Sequence, residues 1–309
     1  MDASFSNAID KAALKGLTAR SDGKGLAHLA GHLGALAVTA WLVAQAAGGP
    51  WLLPAALGHG MVLVFLFAPL HETIHRTAFR TRWLNDAVAW LCGAVLVLPP
   101  AYFRAFHFAH HRHTQDPARD PELSPPKAKT LGGYLIYVSG LPYWRKQLGG
   151  LIRHAAGRVE APFIAPAQRP AVIREARALV CLYLGIAALS LAAQSWAAVL
   201  YWVLPVILGQ PFLRLYLLAE HTGCPEVPDM IRNTRTIRTL WPLRALAWNM
   251  PFHIEHHAYP GVPFHALPAA HAHLKPRIPE VAPGYLAVHR QILGGLTGAE
   301  ARSRQATGT

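Results

Sequence analysis

The sequence predicts an all-α integral membrane protein. Four membrane-crossing helices form two hairpins, and a cytoplasmic helical cap carries a histidine-rich metal site. Three observations predict it. Of 309 residues, 52% belong to the hydrophobic set and only 15% are charged, against about 25% charged in average soluble domains. The cations are also segregated: Lys and Arg number four in residues 1–25, none in 26–70, fifteen in 71–177, one in 178–219 and nine in 220–309. Two nearly cation-free blocks thus alternate with three basic ones, the pattern of loops held on the cytoplasmic side. Finally, eight histidines fall into three short boxes close to the apolar blocks. These are HETIH (His71, His75), HFAHH (His107, His110, His111) and HIEHH (His253, His256, His257).

The first block, Leu26 to Leu70, is broken at Gly48-Gly49-Pro50 and holds two helices of about 20 residues each. The second, Ala178 to Ala219, is broken near Gln194-Ser195 and again allows two passes. Both tips lack charge, so each block reads as a tight hairpin. Four crossings leave the amino terminus, residues 71–177 and residues 220–290 on one side, and all three boxes then share a compartment. Trp83 to Leu98 is apolar but only 16 residues long, short for a span, and is expected to lie in or dip into the near leaflet. In the fourth apolar helix, Pro205, Gly209 and Pro211 suggest a local unwinding that opens a tunnel. The last ten residues are expected to be disordered, the whole chain to be one domain (1–309), and no signal peptide is legible.

The net charge of +13 accompanies no nucleic-acid motif, so nucleic acid is not an expected partner. The cations are explained by topology and by attraction to anionic headgroups. Cys92, Cys181 and Cys224 form no CxxC pair and imply no disulfide framework.

The boxes carry the chemistry. Spacings of HxxxH and HxxHH are i, i+3, i+4 patterns that put imidazoles on one face of a helix. Asp116-Pro117 ends the helix of the second box; Pro251 and Pro260-Gly261 bound that of the third. Eight imidazoles suffice for two transition-metal ions, and imidazole suits iron, copper or zinc. His71-Glu72-Thr73-Ile74-His75 also fits HExxH, the zinc-protease motif with Glu72 as base. That reading leaves six histidines without a role. ExxH, the unit of carboxylate diiron bundles, occurs only once at a suitable place. Carboxylates that could orient the imidazoles from behind are Glu72, Asp116, Asp120, Glu220 and Glu255, with His113 as a further candidate. His28, His32 and His59 are expected to be packing residues, and His265, His271 and His273 to lie on the surface. Arg214, the one cation inside the second apolar block, is a candidate for binding a substrate carboxylate or phosphate.

In this order, with the continuation HxxHHRHT at His107 to Thr114 and the stretch HHAYPGVPFHALP after the third box, the boxes and apolar blocks resemble the membrane fatty acid desaturase superfamily. The match runs from about residue 60 to about residue 275. The resemblance implies a nonheme diiron site with histidine ligands, using O2 and two external electrons to desaturate an acyl chain. It also implies that His221, in LAEHTG, is a ninth ligand. Hydroxylation or oxidative decarboxylation of a lipid on the same scaffold is the alternative. No HPGG haem-binding segment is present, so the expected electron donor is a separate ferredoxin, or a cytochrome with its reductase. The expected location is a bacterial inner membrane, with the boxes and both termini cytoplasmic.

Overall fold

The computed structural model describes residues 8–124, 127–278 and 280–298; the carboxyl-terminal tail expected to be disordered lies outside them. The described residues contain fifteen α-helices. They are α1 (Lys11–Leu17), α2 (Asp22–Ala46), α3 (Leu52–Val64), α4 (Phe67–His75), α5 (Arg82–Leu96), α6 (Pro100–His113), α7 (Leu131–Val138) and α8 (Leu141–Ala155). After them come α9 (Arg169–Ala192), α10 (Leu204–His221), α11 (Met230–Asn233), α12 (Trp241–Leu246), α13 (His253–Ala258), α14 (Leu267–Leu274) and α15 (Tyr285–Thr297). No strand occurs among the described residues; a single bridge joins Ile237 to Ala282.

Among the described residues, four segments are long and apolar enough to cross a membrane: Asp22–Ala46, Leu52–His75, Pro166–Ala192 and Val199–His221. Two spans are peripheral, with 11% of their most apolar window buried, and two are central, at 50% and 39%. The bare faces of the peripheral pair carry Leu33, Val38 and Trp41 on α2 and Leu184, Leu189 and Leu191 on α9, as lipid contact requires.

The boundaries differ from those expected in two places. The second span runs on through α4, so His71 and His75 occupy its last turns rather than a separate cap. The third begins well before Ala178 and carries Arg169, Arg174 and Arg177 in its early turns.

The central spans meet at two glycines. A Cβ on Gly60 of α3 would drive into the Pro205 carbonyl of α10, and one on Gly209 into the Gly60 backbone. Small residues at one level let membrane helices approach this closely. The expected unwinding at Gly209 is therefore corrected. α10 is continuous from Leu204 to His221 with Pro211 inside it, and Gly209 closes a contact instead of opening a tunnel. In this span the loosened turn is the π-helical stretch Val199–Val203, just before α10.

The second pair of spans differs more. α2 packs on α3, but α9 lies mainly against α8 and α6, while α10 lies along α3. A wedge separates α9 from α10: the carboxyl-terminal end of α5. The last carbonyls of a helix have no partner within it. Here they are met by side chains of the surrounding helices. Tyr183 Oη donates to the Ala94 carbonyl (2.7 Å), Trp202 Nε1 to Val95 (2.8 Å) and Tyr143 Oη to Leu96 (2.9 Å). After this end the chain turns by 96° into α6, with Val97 in the left-handed conformation (φ 55°). That turn aims α6 and its histidines back under α4. Below them, the segment from Ala247 to Leu274 supplies a dense floor in which Trp248, Met250, Phe264 and Leu267 are buried.

Candidate metal centre

Four helices deliver nine histidines. α4 brings His71 and His75, which are one turn apart, and ends at Arg76 in the left-handed conformation (φ 61°). α6 starts with Pro100 at its first turn and brings His107, His110 and His111. α10 ends on Glu220 and His221. The six-residue α13 brings His253, His256 and His257.

These side chains form two nests. Ring nitrogens of His71, His75, His107, His111 and His256 lie within 4.8 Å of one another, as do those of His110, His221 and His257; Glu220, His221 and His253 form an overlapping set. Helical geometry explains the sorting. Residues i and i+4 share a face, whereas an immediate neighbour points about 100° away. His107 and His111 therefore enter the first nest and His110 the second. In α13 the assignment is inverted, with His253 and His257 in the second nest and His256 in the first. The nests touch where the His111 and His257 rings stack, 4.2 Å between centroids.

The donor set fits metal ions. His256 Nε2 lies 2.8 Å from His71 Nε2 and 3.1 Å from His111 Nε2. His253 Nε2 lies 3.1 Å from both His221 Nε2 and His257 Nε2. His107 Nε2 and His111 Nε2 are 2.8 Å apart, and His75 Nε2 is buried with no partner among the described residues. Each imidazole nitrogen offers one proton or one lone pair, so these converging contacts cannot all be hydrogen bonds. A shared cation satisfies them together. Ligands about 2.1 Å from an ion and at right angles would be about 3.0 Å apart, close to the observed spacing. Burial pushes His253 and His257 well below the ordinary imidazole range and His256 down to about 3, leaving neutral rings with the lone pairs that ligation needs.

Behind the second nest stands a set of acceptors. Asp120 receives His110 Nδ1–H at 3.0 Å, the Asn233 carbonyl receives His221 Nδ1–H at 3.1 Å, and Thr114 Oγ1 receives His257 Nδ1–H at 3.2 Å. With Nδ1 protonated, each Nε2 presents a bare lone pair to the nest. Gln115 Nε2 and Lys127 Nζ hold the His221 carbonyl at 2.7 and 3.3 Å. Thr114 is marked in the sequence only as the end of the HxxHHRHT continuation, and Asn233 has no legible signal there. Asn233 belongs to a different segment, and its Nδ2 donates to the Thr114 carbonyl (3.2 Å) only because the fold brings them together.

Of the six residues expected to orient the ligands, two reach them. Asp120 does so as described, and Glu220 Oε2 lies 3.6 Å from His253 Nε2, inside the nest rather than behind it. The other four do not. Glu72 is bound by Thr77 Oγ1 (2.7 Å) and the Phe264 amide (3.3 Å), facing the floor and away from where a protease base would stand. Glu255 is held by Thr236 and His271, Asp116 pairs with Arg119, and His113 joins neither nest. His271, expected on the surface, is partly buried against Glu255 because that carboxylate is fully buried. His28, His32 and His59 bond to the Ala245, Val62 and Tyr201 carbonyls and are packing residues. Arg214 lies outside both nests, its guanidinium 4.5 Å above the Tyr143 ring.

Comparison with known proteins agrees with this geometry. The family model for fatty acid desaturases matches residues 49–289. An sn-1 oleoyl-lipid 12-desaturase of Picosynechococcus sp. is 25% identical over 249 residues, covering 73% of this chain and 70% of the relative. A sphingolipid delta(4)-desaturase of Drosophila melanogaster is 24% identical over 248 residues, covering 78% and 71%. An sn-1 acyl-lipid omega-3 desaturase (ferredoxin) of Nostoc sp. is 21% identical over 245 residues, covering 71% and 66%.

Proposed function

The chain belongs to the fatty acid desaturase family and is an oxidoreductase of lipid metabolism; on that premise we propose that it introduces a cis double bond into an acyl chain at a nonheme diiron centre. The first iron is held by His71, His75, His107, His111 and His256, the second by His110, His221, His253 and His257 with Glu220 beside them. Bound there, the two ions supply the oxidising power, drawn from O2 and two external electrons, that acid–base side chains lack. The chain's own residues do the rest. Asp120, Thr114 and the Asn233 carbonyl fix the imidazole tautomers, while α4, α10 and the floor from Ala247 to Leu274 keep bulk water away. The observation that carries the reading is the convergence of Nε2 atoms at 2.8–3.1 Å in two adjoining nests.

The same reading sets the arrangement in the membrane. The four apolar segments cross it as two hairpins within one domain, the boxes and termini lie on the cytoplasmic face, and α5 re-enters the near leaflet with its terminal carbonyls satisfied by protein. The electron donor is a separate protein, a ferredoxin or a cytochrome with its reductase; the name of the Nostoc relative supports the former. The test is expression in a host of defined lipid composition, with metal analysis and product identification. Two irons per chain and a new internal double bond are expected. One zinc per chain and unchanged lipids would overturn the proposal.

A further inference from the structure

On a face of α6 turned away from the nests, a cavity of about 160 Å3 opens between α6, α8 and the segment that follows α8. Tyr102 lines it from α6; five residues separate Tyr102 from His107, a rotation of about 140° around the helix. α8 contributes Lys146, Arg153 and His154, and the following segment contributes Arg158 and Glu160. Two glycines explain how α8 makes room. Helical side chains lean toward the amino terminus of their helix, and those of Arg153 and His154 pass over Gly149 and Gly150. A Cβ on these glycines would stand 3.2 Å from Arg153 Nη1 and 3.9 Å from His154 Cε1. The wall opposite is anchored. The Arg158 amide donates to the Arg153 carbonyl at 2.9 Å, and Val159 and Ile164 are buried with Ala105 of α6 and Val172 of α9.

The polar groups of this cavity lack partners among the described residues. His154 is 8% exposed, yet neither of its ring nitrogens is hydrogen-bonded; its ring lies 5.0 Å from that of Tyr102, whose hydroxyl is likewise unbonded. Burial and the Arg153 charge hold His154 below the ordinary imidazole range, so it faces the cavity as a neutral ring with one N–H to give. No side-chain hydrogen bond or ion pair engages Arg153 or Arg158. Lys146 Nζ rests 5.1 Å over the Phe106 ring and is drawn to Glu122 without forming an ion pair. Glu160 lines the same cavity and pairs with none of the three cations.

Three cations around one cavity repel one another, and a bound anion removes that cost. A carboxylate offers two acceptor oxygens. A phosphate offers three or four in a tetrahedral array, which suits donors arriving from three segments. We propose that Lys146, Arg153, Arg158, His154 and Tyr102 form a phosphate-binding site, separate from the metal nests. Its setting suits the phosphate of a membrane lipid. Leu148 and Ile152 are exposed on another face of α8, so the helix carries an apolar stripe beside a basic one, as helices lying between headgroups and acyl chains do. Pro99, at the bend between α5 and α6, also lines the cavity. A phosphate held there joins α8 to α6 and braces the turn that aims the second histidine box. The site needs no metal and stands whether or not the chain desaturates a lipid.

Native mass spectrometry of the purified full chain in detergent tests this. The chain is titrated with dioctanoyl phosphatidylglycerol, with dioctanoylglycerol, which has the same acyl chains and no phosphate, and with inorganic phosphate. Wild type is expected to retain one phosphatidylglycerol per chain, to retain dioctanoylglycerol far more weakly, and to lose the lipid to inorganic phosphate by competition. Competition at comparable concentrations identifies free phosphate as the source; competition only at large excess identifies a lipid. Arg153→Gln and Arg158→Gln, both exposed and removable without disturbing the core, should each weaken retention roughly fivefold or more, as loss of a charge-assisted hydrogen bond does. Arg244→Gln, an exposed cation of α12 outside the cavity, should leave it unchanged. Occupancy of the site should also raise the thermal midpoint of wild type, by mass action, and not that of the Arg153→Gln, Arg158→Gln double variant. Equal retention of the two dioctanoyl compounds, absence of competition by inorganic phosphate, or equal weakening by Arg244→Gln would overturn the proposal.

Discussion

The two nests have the same ligand chemistry but different support. In the second, three of the four imidazoles are locked from behind by a carboxylate, a hydroxyl and a backbone carbonyl, and the Glu220 carboxyl stands inside the nest beside His253. In the first, His111 Nδ1 and His256 Nδ1 are buried without partners among the described residues, as His253 Nδ1 alone is in the second. The second nest is thus set before any ion arrives, while the first depends on an ion to order it. Preorganised ligands lose less on binding. The second nest is expected to load first and to release its iron last.

That comparison can be broken or sharpened by substitution. The largest effect is expected from removing a ligand. His107→Ala or His257→Ala should abolish product, each with loss of iron from its own nest, while the protein stays in the membrane; full activity in either would void the ligand assignment. Asp120→Asn should come next. Removing the carboxylate behind a metal-bound histidine typically lowers metal affinity by about 10–100-fold. A chelator titration should show the loss confined to the second nest, reversing the order of release. Thr114→Val removes one neutral hydrogen bond worth about 1 kcal/mol and should weaken the same nest by only a few-fold. The smallest effect is expected from Glu72→Gln. Its side chain faces Thr77 and Phe264 and not the ions, so iron content should match wild type by metal analysis. Complete loss of activity with metal retained would revive Glu72 as a base.

Much of this was legible in the sequence, for local reasons. Spacings of three and four residues on a helix place the box histidines on common faces without reference to the rest of the fold, and cation-free blocks mark the spans because charge is costly in hydrocarbon. What was not legible depends on contacts between distant segments. Asp120 could be named, being ten residues from His110. Asn233 could not, because nothing in its own neighbourhood ties it to His221. Gly209 reads locally as a weak point in a helix and acts as a contact only because Gly60 faces it. The parting of α9 from α10 is likewise invisible until the end of α5, with three carbonyls needing donors, is seen between them. His271 was expected at the surface, yet a buried Glu255 draws it inward.

The central claim, two metal ions in two adjoining histidine nests, is tested most directly by diffraction from the iron-loaded protein at the iron absorption edge. Two anomalous peaks are predicted, one enclosed by His71, His75, His107, His111 and His256 and the other by His110, His221, His253 and His257. A single peak, or a lone zinc between His71 and His75, would contradict it.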